Sequence, residues 1–169
     1  MFILKAQRDA DDWEDVSWKR YPAYLESVRE RMPPSAYALA TSDWYFGFSD
    51  PRGPHDARLV EMAIGEGAAA PDRFPKAPPS LRIRLLNAWG NGYIELRYPE
   101  VYRYQLTLGD GGAGHRDWLF DEFRLTDDGH VLHEIEWWGR DEAGRWIIEA
   151  SDVEHTYLPI DPDADPGSQ

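Results

Sequence analysis

Cysteine is absent from the 169 residues, which removes disulfides, thiolate nucleophiles and cysteine-ligated metal sites together. Such a chain fits a reducing compartment. Long hydrophobic runs are also missing: no stretch approaches the roughly 18 apolar residues of a membrane-spanning helix. After the opening MFIL the chain turns to KAQRDADDW, so it does not begin like a secretory signal, and a cytoplasmic location is expected. Basic residues are scarce, with 18 Lys and Arg against 31 Asp and Glu and a net charge of −13. The deficit is uneven. Residues 1–109 carry 14 Lys and Arg against 15 Asp and Glu, a net of −1, whereas residues 110–169 carry 4 against 16, a net of −12. A field of that sign repels nucleic acid and anionic membranes and attracts basic partners. No G-x-S-x-G elbow is present, and no histidine pair has zinc-protease spacing.

Aromatics, by contrast, are plentiful: eight Trp, nine Tyr and six Phe. The length suits a single domain over residues 1–160, followed by an acidic tail, 161–169, expected to be disordered. A helical segment is expected over residues 9–34, with Tyr21, Leu25, Val28 and Met32 on one apolar stripe, Trp18 extending it, Ser17 as a cap and Pro33–Pro34 as the stop. Residues 36–41 read as a short helix, and Trp44–Phe48 and Arg58–Ile64 as strands. From residue 81 the period turns to two. Leu81, Ile83 and Leu85, then Ile94, Leu96 and Tyr98, then Tyr102, Tyr104, Leu106 and Leu108 alternate with polar residues, as in half-buried antiparallel strands. The short connections NAWGNG and PE suggest a meander. Strands near 117–125, 131–138 and 145–151 follow. The expected fold is α+β and mostly β: an N-terminal helical segment packed on a twisted antiparallel sheet, or a partly closed barrel, of six to eight strands.

HEIEWWGRDEAGRWIIEA, residues 133–150, carries four Glu, one Asp, one His and three Trp. Closing it with a four-residue turn, DEAG, puts Glu136 opposite Glu149 and Trp137 opposite Ile148. Pairing Leu125 with Val131 then adds Glu122, Phe120 and Trp118 to the glutamate side. The result is an exposed face carrying Glu122, Glu134, Glu136 and Glu149 among Trp118, Trp138, Phe120 and Ile147, with Arg124 as its one cation. Carboxylates for steering and aromatics for area suit a basic, partly apolar partner; a plain solvated face or aromatics covered by the N-terminus is the alternative. A one-residue slip would scramble the assignment.

His133 reads as a core histidine among Phe123, Ile135 and Trp137. His55 and Asp56, with His115 and Asp117, are the candidates for a metal or an acid–base pair if the fold unites them. GDGGAG, residues 109–114, matches G-x-G-x-x-G, but a strand pattern follows where a dinucleotide site needs a helix. No cofactor is expected. Arg82, Arg84, Arg97 and Arg103 would share a polar sheet face with Glu95, more in keeping with salt bridging than with nucleic acid.

The segments SDWYFGFSDPRGPHDARLVEMAI, with its His55-Asp56-Ala57, LRIRLLNAWGNGYIELRYPEVYRYQL, and HEIEWW with GRWIIEASDVEH resemble a class of small bacterial proteins that includes some immunity proteins of polymorphic toxin systems. The resemblance covers roughly residues 40–155. It implies a sheet-based cytoplasmic domain and permits an inhibitor role, and it carries over no functional residues. The expected function is therefore a non-enzymatic acidic binding protein that docks a basic protein partner, such as a toxin domain. The alternative is a small metal-dependent hydrolase using the His and Asp loop residues.

Overall fold

The computed structural model describes residues 2–4, 19–66, 78–110 and 114–161. Two helices, α1 (Tyr21–Val28) and α2 (Pro34–Ala40), precede eight strands: β1 (Arg58–Gly65), β2 (Ser80–Leu86), β3 (Gly92–Tyr98), β4 (Val101–Leu106), β5 (Trp118–Leu125), β6 (Val131–Trp137), β7 (Gly144–Ala150) and β8 (Glu154–Pro159). The strands form two antiparallel four-stranded sheets, ordered β1-β2-β3-β8 and β4-β7-β6-β5. The α+β, mostly β class is as expected, with the strands divided between two open sheets and no barrel closed.

The division follows from Pro99. The predicted meander fails between β3 and β4, which do not pair. Proline has no N–H and a fixed φ, so it cannot continue a ladder. Pro99 and Glu100 carry the chain from one sheet to the other, held by Val101 N–H on the Pro79 carbonyl at 2.8 Å and Ser151 N–H on the Glu100 carbonyl at 2.8 Å. After β7 the chain crosses back. At that crossing Asp152 Oδ1 accepts from the amide of Ala36 at 2.9 Å, satisfying one of the free N–H groups at the start of α2. β8 then pairs with β3; the sequence reading missed it.

The inward faces of both sheets share one core. Leu81, Ile83, Leu85, Ile94, Leu96 and Tyr98 from the first sheet meet Phe123, Ile135, Trp137, Trp146 and Ile148 from the second. The predicted α1 stripe is buried as well: Tyr21, Leu25, Val28 and Met32 are all under 5% exposed. The helix itself is shorter than expected, and Ser17 and Trp18 lie outside the described residues. Its tyrosines also close a sheet edge. The Tyr21 hydroxyl accepts from the Phe123 amide at 2.8 Å and donates to the Phe123 carbonyl at 3.1 Å, and the Tyr24 hydroxyl accepts from the Leu125 amide at 2.7 Å. An open edge of β5 would otherwise be a template for pairing with another chain. Trp44–Phe48, expected as a strand, is a series of turns: Tyr45 N–H bonds the Ser42 carbonyl at 3.1 Å and Gly47 N–H that of Trp44 at 3.3 Å. Tyr45 is held there by burial in the core, with Trp44 and Phe46 partly buried against it, not by a ladder.

Among the described residues no helix is long and apolar enough to cross a membrane. The arginine face of the first sheet is salt-bridged. Arg82 pairs with Glu61 at 3.1 Å and Glu95 at 3.5 Å, Arg97 pairs with Glu154 at 3.2 Å, and Arg84 lies over the ring of Tyr93. Arg103 belongs to the other sheet. The acidic tail, apart from Asp161, lies outside the described residues.

Candidate functional site: an aromatic cavity with a carboxylate floor

The glutamate face is built, but it is not an open surface. Leu125 pairs with Val131 as expected. The β6–β7 hairpin, however, closes through the longer segment 138–143, so that Trp137 faces Gly144 and Glu136 faces Arg145, not Glu149. The register moves by an even number of residues, which keeps every side chain on its predicted face while changing its neighbours. Arg145 thereby joins Arg124 among the glutamates. Glu122 is 0% exposed, Glu134 1% and Glu136 6%. Glu122 accepts from the amides of Phe2 at 2.6 Å and Ile3 at 2.8 Å and pairs with Arg124 Nε at 3.0 Å. Glu134 is ion-paired to both Arg124 and Arg145. Glu149 is held by His130 at 2.9 Å and Arg103 at 3.4 Å.

Trp118 leaves that face altogether. A bulge between Trp118 and Phe120 turns its side chain inward, where it is 0% exposed. Of the two expected aromatic anchors only Trp138 remains at the surface, 44% exposed. The expected docking face is thus corrected: Glu122, Glu134 and Glu136 are buried, and Glu122, Glu134 and Glu149 are paired within the chain.

The histidine candidates are not assembled into a metal site. Asp56 N–H bonds the Trp118 carbonyl at 2.9 Å, and Arg58 bridges Asp117, so the two loops are neighbours. Yet the His55 ring packs between Phe48 and Phe120, beside Asp56 at 3.2 Å, while the His115 ring lies against Trp137 and Trp146. Burial pushes His115 below its ordinary pKa. Among the described residues no group of three or more His, Asp or Glu is placed to hold a metal.

His133 is a core histidine, stacked on Phe123 with ring centroids 4.1 Å apart. The residue on which it acts was not foreseen. Asp121 lies on the inward, apolar side of β5 with Phe123 and is only 3% exposed. Its Oδ1 accepts from Trp118 Nε1 at 3.0 Å, and its Oδ2 bonds the Tyr45 hydroxyl at 3.0 Å and His133 Nε2 at 2.9 Å. On the far side of the ring, His133 Nδ1 lies 2.7 Å from the Tyr98 hydroxyl. Burial pushes the phenols of Tyr45 and Tyr98 well above their ordinary range, so both keep their protons to donate. The contacts are met when Tyr98 donates to Nδ1 and Nε2–H donates to Asp121, which then accepts from three donors. Asp121 is thus a buried acid held by hydrogen bonds, with no Lys or Arg paired to it among the described residues.

That carboxylate forms part of the wall of a cavity of about 510 Å³, a volume typical of a specific binding site. The cavity lies among α1, α2, the turns of residues 41–55 and the start of β5. Its walls include the rings of Tyr21, Tyr37, Tyr45, Phe48, Trp118 and Phe120, and its acids are Glu26, Asp43 and Asp121. No Lys or Arg is among the described lining residues; Arg29 lies 3.6 Å from Glu26 in an exposed pair. The turn segment is shaped by Gly53, where a Cβ would come within 3.0–3.3 Å of the carbonyls of Tyr45, Trp44 and Gly47. Arg52 ties the same segment down. It hydrogen-bonds Asp50, holding that carboxyl at about 2, and lies over the Trp44 ring.

The signal that would have found Asp121 was present in the sequence: an acid at the parity of Phe123 and Leu125. No family model, curated protein or solved structure matches the chain.

Proposed function

We propose that this is a non-enzymatic binding protein whose partner is a basic protein, met over the mouth of the aromatic cavity and not on the glutamate face of β5–β7. The observation that carries this reading is the cavity itself: apolar and aromatic walls, three carboxylates, one histidine and no described Lys or Arg. Such a site favours a positively charged group over a neutral one, through the ring quadrupoles and the fixed negative charge. The net charge of −13 adds long-range steering toward a basic surface. An immunity-type inhibitor, acting in the cytoplasm on a toxin or another enzyme directed at nucleic acid, fits this chemistry, because an acidic protein competes for a surface built to hold phosphates.

The test is retention of a basic partner by the tagged protein at low and at high salt, compared with Glu26→Lys combined with Asp43→Lys. Both positions are exposed, so the expected stability change is within about 0.5 kcal/mol per site. The partner is expected to be retained at low salt, released at high salt, and lost in the double variant. Undiminished retention by that variant would remove the cavity mouth as the docking site.

A further inference from the structure

Resting on the reading of the cavity as the docking site, we propose that its occupant is an arginine side chain of the partner, inserted with its guanidinium against the aromatic walls and facing the Asp121 carboxylate. Three observations converge on a cation. The first is the acid in the cavity wall. Asp121 is 3% exposed, is hydrogen-bonded by Trp118, Tyr45 and His133, and meets no described Lys or Arg. A buried acid held by hydrogen-bond donors, with no guanidinium or ammonium beside it, offers its carboxylate to a cation that reaches it. Oδ1 takes a single donor, so it has room for another.

The second observation is the wall. Guanidinium is planar and weakly hydrated, and it stacks on aromatic faces, whereas ammonium holds its water more tightly. The side chains of Tyr45 and Trp118 hydrogen-bond the carboxylate, Phe120 lines the same cavity, and Phe48, 63% exposed, stands toward solvent. The third is exposed Asp43, which lines the same cavity and has no ion-pair partner among the described residues. An arginine passing from Asp43 to Asp121 exchanges one carboxylate for another along an aromatic path. Arginine is also among the residues that most often anchor protein interfaces in desolvated pockets.

The experiment titrates the full chain with N-acetylargininamide and, separately, with N-acetylcitrullinamide, its uncharged near-isostere, following amide and indole NMR shifts. The arginine compound is expected to bind at least about tenfold more tightly, with the Trp118 indole resonance moving. Phe48→Ala and Asp43→Asn, two changes at exposed positions, are each expected to weaken it several-fold. Asp121→Asn is expected to abolish the preference for arginine over citrulline, provided its spectrum remains that of the folded chain. Equal binding of the two compounds would overturn the cationic occupant while leaving the cavity as a binding site. No binding of either, or binding insensitive to both Phe48→Ala and Asp43→Asn, would overturn the insertion of arginine altogether. The salt and charge-reversal result would then judge the docking reading by itself.

Discussion

Replacing Asp121 by alanine is expected to destabilise the fold by about 3–5 kcal/mol. Three buried donors, the Trp118 indole, the Tyr45 hydroxyl and His133 Nε2, would lose their common acceptor, and each unsatisfied buried group costs about 1–3 kcal/mol. The sum is reduced by removal of a buried polar group and by water entering from the cavity. Asparagine would recover part of the loss, since its carbonyl accepts while its NH₂ meets groups that are themselves donors. Urea unfolding checks this through a lower midpoint at an unchanged slope. A loss below about 1 kcal/mol would mean that the network does not hold the carboxylate as described.

Arg124→Met is expected to cost about 3–5 kcal/mol, the range for removing one partner of a buried charge pair. Glu122 and Glu134 face each other across β5 and β6, both buried, and Arg124 is paired to each. Without it, two buried carboxylates would oppose one another with their shared guanidinium gone, Arg145 still paired to Glu134. Combining Arg124→Met with Glu134→Gln is expected to be less damaging than Arg124→Met alone, a coupling that a double-mutant cycle on urea midpoints reads directly. Additive effects would contradict the bridging role. For the same reason Glu136→Lys with Glu149→Lys is expected to act on stability, because Glu136 is buried and Glu149 anchors His130 and Arg103.

The sequence exposed much of the fold wherever one face of a strand is buried and the other is not. β2 and β3 alternate cleanly because one side meets the core and the other carries salt-bridged arginines, and the α1 stripe was plain for the same reason. β8 was missed because its residues are exposed or half-buried, with no run of apolar positions to mark the period. Parity survived the error in the β6–β7 register because the shift was even, but the neighbours changed, and with them the charge balance. Trp118 was misassigned by a single bulge, which local pattern cannot reveal. The cavity was hidden for a different reason. Its walls come from α1, α2, a turn segment and β5, so no spacing in one stretch encodes it.

The central claim is that an aromatic cavity walled in part by Asp121 holds a cation, and the comparison of N-acetylargininamide with N-acetylcitrullinamide tests it most directly. The Trp118 indole reports on the cavity, because its N–H donates to Asp121 Oδ1 at 3.0 Å. The expected result is tighter binding of the arginine compound, with the Trp118 resonance moving. Equal binding of the two compounds would contradict a cationic occupant.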